Sequence, residues 1–118
     1  MKKLIPIFTL LVLLLTAGTS SGETSAKEFL DQYDKAKRDR QHWLGTVVAQ
    51  TYDGMSWVDS WLKTSREMDV FCVPKKLVLT DDQLIDILRR YLKANGKLQD
   101  EPFGMVLLYS IIDAFPCD

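Results

Sequence analysis

The N-terminal 22 residues constrain this chain most, because they have the three-part layout of a secretory signal peptide. Two lysines follow Met1, residues 4–15 form an almost unbroken apolar run, and residues 16–22 are nearly all small. The apolar run is shorter than the roughly 20 residues that a membrane-spanning helix needs. We therefore expect residues 1–22 to be a signal peptide, and residues 23–118 to form a single exported domain.

The exported part is small and mildly acidic. About 96 residues remain, with 13 basic side chains against 16 acidic ones. Nucleic acids and anionic membrane surfaces both attract proteins with a basic face. We therefore expect no nucleic acid partner, and no membrane association after the signal peptide has been cleaved. A large multidomain enzyme is excluded by size.

The domain contains two cysteines, Cys72 and Cys117. Small exported domains often supplement a thin core with a disulfide, and closing this loop of 45 residues would stabilise the fold by about 4 kcal/mol. Two free buried thiols, or a disulfide between subunits, are the alternatives. No CxxC pair occurs and His42 is the only histidine, so we expect an intramolecular disulfide and neither a metal nor a cofactor.

Apolar residues recur with the 3.6-residue period of α-helices in the first half of the domain. One helix is predicted from Ser25, and a polar elbow or solvated face over residues 35–40 follows it. A long helix is then predicted across residues 43–62. It contains Gly45 and Gly54, which indicate either close helix packing or a local break.

Two further helices are predicted in the second half, after an extended connector over residues 68–79. Thr80 and Gln83 have the spacing of a capping box, and Asn95-Gly96 ends that helix with residues that tolerate the left-handed conformation. Asp100 is the predicted N-cap of the last helix, which is apolar nearly all round up to Phe115. We expect that helix either at the centre of the bundle or half covered by a second subunit.

The predicted fold is therefore an all-α bundle of four helices, with a fifth left open, and one disulfide. The pattern indicates no catalytic residues. No possible nucleophile lies at a recognised motif spacing from His42. The paired carboxylates lie at predicted helix starts, where helix capping accounts for their presence. Trp57 and Trp61 are four residues apart and share a helix face. They are interpreted either as core residues or as an exposed anchor for a protein partner.

Several short motifs in the second half resemble the Rap/Tai family of immunity proteins. The motifs are Phe71-Cys72-Val73-Pro74, Thr80-x-x-Gln83-Leu84, Tyr91-Leu92-Lys93-Ala94-Asn95 and Phe115-Pro116-Cys117. That family consists of periplasmic helical proteins which protect bacteria from peptidoglycan-cleaving effectors delivered by type VI secretion. The resemblance covers roughly residues 70–117, about half of the exported domain.

The resemblance implies a periplasmic protein that binds and inhibits a peptidoglycan amidase effector. Some relatives are homodimers and insert a protruding loop into the enzyme, so a homodimer is left open here. The expected partner-binding segment is the polar connector after the third helix, and the Trp57/Trp61 face is the second candidate. The connector consists of Asn95, Gly96, Lys97, Leu98, Gln99 and Asp100.

A different function remains compatible with the same features. Small periplasmic acid-stress chaperones of the HdeA kind are also helical and carry one disulfide, and they expose apolar surface when carboxylates protonate at low pH. Another non-catalytic periplasmic binding protein would also fit.

Overall fold

The computed structural model describes residues 24–118, and this part of the chain folds into four α-helices. They are α1 (Ala26–Lys35), α2 (Arg38–Arg66), α3 (Asp81–Ala94) and α4 (Phe103–Ala114), with a short 3-10 helix at Gly96–Leu98. The all-α prediction with four helices is confirmed. The predicted signal peptide, residues 1–22, lies outside the described residues.

The hydrophobic core lies between α3 and α4, and α1 and α2 pack across it. Its largest fully buried apolar side chains come from three helices: Val48, Leu84, Leu88, Val106, Leu107 and Ile111. On the α1 side, the rings of Phe29 and Phe103 stack with their centroids 4.2 Å apart. The four helices therefore share one core, as a domain of this size requires.

α2 is a single unbroken helix of 29 residues, which settles the two alternatives for its glycines. Gly45 is buried, and a methyl group at this position would collide with the carboxylate of Asp81 at the start of α3. Gly54 has no atom within 4 Å of the place its Cβ would take. Close packing is therefore correct at Gly45, and the predicted break at Gly54 does not occur.

The connector between α2 and α3 turns back along α2. Glu67 has a left-handed conformation (φ 53°) that ends the helix, and Met68 N–H donates to the carbonyl of Leu62 at 3.3 Å. The carboxylate of Asp59 then accepts hydrogen bonds from the backbone N–H groups of Val70 (2.8 Å) and Phe71 (3.4 Å). The connector is thus held to the side of α2 before it reaches the disulfide.

α3 begins and ends where the sequence predicts, with Thr80 as N-cap and Asn95 as C-cap. Thr80 and Gln83 form the full capping box, in which each side chain accepts the other's backbone N–H, at 3.2 and 2.9 Å. The left-handed conformation is not adopted at this end, because Asn95 has φ −128° and the chain continues into the 3-10 helix. The side-chain amide of Asn95 donates to the carbonyl of Tyr91 instead.

The predicted N-cap of the last helix, Asp100, is also wrong. Backbone N–H groups of Ala26 and Lys27 donate to the carbonyls of Glu101 (2.9 Å) and Gln99 (3.0 Å), so this stretch pairs with the start of α1 and stays outside the helix. The N-cap is Pro102. The hydrogen bonds with α1 therefore determine where α4 begins. The local capping preference of Asp100 had placed this N-cap two residues too early.

α4 is not enclosed on all sides, so the first of the two alternatives for this helix, a place at the centre of the bundle, is wrong. Val106, Leu107, Ser110 and Ile111 are buried, whereas Tyr109 is exposed on the opposite side. Apolar composition overstated the burial of this helix, because a bundle of four helices in a small domain leaves each helix with an outer face.

Candidate binding surfaces

The two cysteines form the predicted disulfide. Cys72 and Cys117 are bonded, with their Cα atoms 5.1 Å apart. Beside the bond, Cys72 N–H donates to the carbonyl of Phe115 at 2.8 Å. The carboxylate of Asp69 also lies within 4.8 Å of both sulfurs. Both sulfurs of this cluster are used in the disulfide. The bond joins the connector before α3 to the C-terminal end of the chain.

The segment 95–100 is a compact, hydrogen-bonded turn. Leu98 N–H donates to Asn95 (3.0 Å), Gln99 N–H to Gly96 (3.3 Å) and Glu101 N–H to Leu98 (3.1 Å), each at the carbonyl oxygen. The carbonyl of Gln99 in turn accepts the N–H of Lys27 from α1. The segment is therefore tied both to itself and to a neighbouring helix.

The side chains of this turn divide into anchors and exposed groups. Leu98 packs against the core and Asn95 is half-buried, whereas Lys97, Gln99 and Asp100 are exposed. The exposed groups comprise one cation, one amide and one carboxylate. The charged side chains of such a turn can form charge-assisted hydrogen bonds with a partner. The backbone that carries them is already ordered, so no further ordering is needed on binding.

The tryptophans of α2 are exposed, so the core interpretation of Trp57 and Trp61 is wrong. Trp57 is 78% exposed and Trp61 is 58% exposed. Trp43, which the sequence reading did not assign to a site, is also 58% exposed, and the guanidinium of Arg40 lies 6.0 Å from its ring centroid. Exposed tryptophans are a feature of protein-binding surfaces.

The three tryptophans lie on one line along α2. At 100° per residue, Trp61 lies five full turns after Trp43 and Trp57 lies about 40° to one side of that line. The core face of the same helix is defined by Leu44, Gly45 and Val48, which point in a different direction. We call the outer surface the tryptophan stripe: it consists of Trp43, Gln50, Gly54, Trp57, Val58 and Trp61.

A further exposed surface, which the sequence reading missed, lies in the connector before α3. Leu77 N–H donates to the carbonyl of Pro74 at 2.9 Å, forming a turn whose lysines, Lys75 and Lys76, are exposed. Val78 follows and is 82% exposed. The signal was the sequence Lys-Lys-Leu-Val-Leu immediately before the N-cap Thr80, which the prediction had treated only as extended chain.

Polar side-chain contacts also join α1 to α3. The guanidinium of Arg89 donates two hydrogen bonds to the carboxylate of Asp34 (2.7 and 2.8 Å) and thereby lowers the pKa of Asp34. The hydroxyl of Tyr33 donates to the carboxylate of Asp82 at 3.3 Å. Burial, and then this carboxylate, raise the pKa of Tyr33.

The comparisons with known proteins give no relative for this chain: no family model, curated protein or solved structure matches it. Within residues 24–118, none of the helices combines the length and the apolar character needed to cross a membrane. The function must therefore be argued from the surfaces described above.

Proposed function

We propose that this protein is a periplasmic immunity protein, which binds a type VI secretion peptidoglycan amidase and blocks its active cleft. In this proposal the protein catalyses no reaction. Protection of the producing cell depends on how tightly, and at what stoichiometry, the amidase is occupied.

The observation that carries the proposal is the turn 95–100. A tight inhibitor gains affinity when its contact segment is already ordered before binding, because little conformational entropy is then lost. This turn is closed by backbone hydrogen bonds and presents Lys97, Gln99 and Asp100 to solvent. These properties suit a segment that enters the cleft of an enzyme without rearranging.

The positions of the Rap/Tai-like motifs lend support to the proposal. Phe71, from the first motif, is buried in the core, and Phe115, from the last, accepts the N–H of Cys72. The motifs at both ends of the resemblance therefore meet at the disulfide, and the motif that starts at Thr80 forms the capping box. Residues that are far apart in sequence are thus brought together in the fold.

The disulfide supports the proposed location. Disulfides persist in oxidising compartments such as the periplasm and are rare in the bacterial cytosol. A domain held by Cys72 and Cys117 is therefore suited to the compartment in which the cell wall is attacked.

The test is protection of cells against an exported amidase. A peptidoglycan amidase effector is directed to the periplasm of a host strain, with and without this chain, and lysis is followed by optical density. We expect the chain to prevent lysis. The double reversal Lys97→Glu/Asp100→Lys should lower the affinity for the amidase about tenfold or more and restore lysis.

The matched control is the double reversal Lys35→Glu/Asp113→Lys, which exchanges the same charges at exposed positions outside the turn. It should still protect the cells. Loss of protection in the control alone would assign the contact to another surface. If the unaltered chain protected the cells against none of the peptidoglycan amidase effectors tested, the proposed function would be overturned.

A further inference from the structure

We propose that the connector between α2 and α3 is a processing site, at which a trypsin-like endopeptidase cuts the chain after one of the paired lysines, Lys75 and Lys76. The disulfide then joins the two parts in one folded protein. In the cleavage step, water adds to the carbonyl carbon of the lysine, the bond to the next nitrogen breaks, and a carboxylate and an amine remain. The inference goes beyond the proposed function and does not depend on it, since it concerns a different segment of the chain.

The connector presents both lysines on an exposed stretch. Residues 74–78 are all exposed, and Val78 is 82% exposed. Neither Lys75 nor Lys76 forms an ion pair with another residue of the described part of the chain. An endopeptidase with an acidic specificity pocket binds a cationic side chain of this kind and cuts on its carboxyl side. The lysines and the residues on either side of them are therefore accessible to such an enzyme.

The backbone of this stretch can open without disturbing a helix. Among residues 24–118, the segment 73–79 takes part in a single backbone hydrogen bond, from Leu77 N–H to the carbonyl of Pro74. A protease binds its substrate as an extended strand, so this one turn has to open before cleavage. The side chains that anchor the segment to the core, Val73 and Leu79, lie at its two ends.

Both ends of the segment are fixed, so that opening stays local. On one side, Cys72 is held by the disulfide and by the hydrogen bond from its N–H to the carbonyl of Phe115. On the other side, Thr80 caps α3. An exposed loop tip between two fixed ends is a preferred place for proteolytic cleavage.

Basic residues elsewhere between helices are less accessible to a protease. Lys37 lies in an elbow of only two residues between α1 and α2. Lys97 lies in the turn 95–100, which is closed by its own backbone hydrogen bonds. Arg66 ends α2, and the chain after it is tied back to that helix by the carboxylate of Asp59. The first cut is therefore expected at Lys75 or Lys76.

The cleaved protein should remain folded, because the two parts share one core. α1 and α2 belong to one part, α3 and α4 to the other, and the buried apolar side chains of both meet between them. The hydrogen bond from Ala26 N–H to the carbonyl of Glu101 also crosses between the parts, as does the pair of Asp34 and Arg89. Since the disulfide joins the parts covalently, their association is intramolecular.

Brief treatment of the purified chain with trypsin, with the disulfide intact, tests the site. We expect one first cut, which gives a single band on a non-reducing gel and two fragments after reduction. Mass spectrometry should place this cut after Lys75 or Lys76. The double variant Lys75→Gln/Lys76→Gln should lower the rate of the cut about tenfold or more. The control Lys35→Gln/Lys37→Gln removes two other exposed lysines and should leave the rate unchanged.

Gly54→Ala distinguishes local opening from unfolding of the whole domain. This change should stabilise the domain, so a cut that requires global unfolding would become slower, whereas a cut at the open connector should keep its rate within about twofold. A first cut elsewhere, an unchanged rate in Lys75→Gln/Lys76→Gln, or a slower cut in Gly54→Ala would overturn the inference.

Thermal unfolding of the cleaved protein tests the role of the disulfide. With the bond intact, we expect a cooperative transition at a temperature that does not depend on protein concentration. After reduction, this temperature should fall on dilution, because two separate fragments then have to associate. Loss of the cooperative transition on cleavage, with the disulfide intact, would contradict the inference.

Discussion

The inner and outer faces of α2 both carry apolar side chains, but the inner face is buried and the outer face is exposed. Leu44, Gly45 and Val48 on the inner face are buried against the rest of the bundle. Trp43 and Trp61 on the outer face are both more than half exposed. The apolar residues of the inner face therefore belong to the core, whereas those of the outer face remain in contact with solvent.

This difference predicts how substitutions separate. Changes on the inner face, and in the connector held to it, should lower the free energy of unfolding. Changes on the outer face should leave stability nearly unchanged.

The largest expected effect is loss of the disulfide. Cys72→Ser or Cys117→Ser should lower the free energy of unfolding by about 4 kcal/mol, because the bond closes a loop of 45 residues and holds the connector in place. Urea denaturation of both single variants and of the double variant measures it. The free energies of unfolding of the three variants should agree, since each change breaks the same bond. Variants as stable as the unaltered protein would show that the disulfide does not stabilise the fold.

The next effect compares the two faces of α2 directly. Leu44→Ala should cost about 3 kcal/mol, because it leaves a cavity in the core. Trp61→Ala removes a larger side chain and should change stability by less than about 0.5 kcal/mol, because its ring is largely in water. Denaturation is measured at a low protein concentration, so that association does not contribute. Similar losses in both variants would contradict the division of α2 into two faces.

The two glycines of α2 provide a smaller and sharper comparison. Gly54→Ala should stabilise the protein by about 1 kcal/mol, because the new methyl group meets no neighbour. Gly45→Ala gains the same helix propensity but forces the carboxylate of Asp81 to move, so it should stabilise less or destabilise. Thermal unfolding of the pair decides this, and a larger gain at Gly45 than at Gly54 would show that the packing against α3 is looser than described.

The smallest expected effect is the pH dependence of the link between Asp34 and Arg89. Because the folded protein lowers the pKa of Asp34, the pair stabilises the fold above the unfolded pKa near 4, and this contribution is lost as pH falls through the lower folded pKa. Both side chains are more than 40% exposed, so the contribution should be only about 0.5 kcal/mol. Asp34→Asn should remove that part of the acid dependence, as followed by melting temperature between pH 2.5 and 6.

The same pH series addresses the chaperone alternative. An acid-stress chaperone should lose its cooperative fold at about pH 2–3 and bind a hydrophobic dye. For the immunity function we expect a cooperative transition to persist at that pH. A loss of cooperative unfolding that coincides with dye binding would favour the chaperone.

Much of the fold could be predicted from the sequence because its signals are local. The capping box at Thr80 and the 3.6-residue period of the helices depend on residues within a few positions of one another. The disulfide followed from having only two cysteines in a chain that the sequence predicts to be exported. The start of α4 could not be predicted in this way, because the pairing of residues 99–101 with α1 joins segments that are more than 70 residues apart.

The binding surfaces were less predictable, for a related physical reason. The 3.6-residue period of the apolar residues shows that they lie on one helix. Whether each face of that helix is buried depends on which other helices pack against it. Trp57 and Trp61 were therefore left between core and surface, and Trp43 was not assigned at all. The connector turn with Lys75 and Val78 was missed because its exposure depends on how Cys72 and Thr80 fix its two ends.

The central claim is that this protein acts by binding and blocking another protein. Its most direct test is to add the purified chain in increasing amounts to a purified peptidoglycan amidase effector that is hydrolysing isolated cell-wall sacculi. We predict that release of soluble peptide falls in proportion to the added chain and stops at one chain per enzyme molecule. Undiminished hydrolysis in the presence of a large excess of the chain, with each effector tested, would contradict the claim.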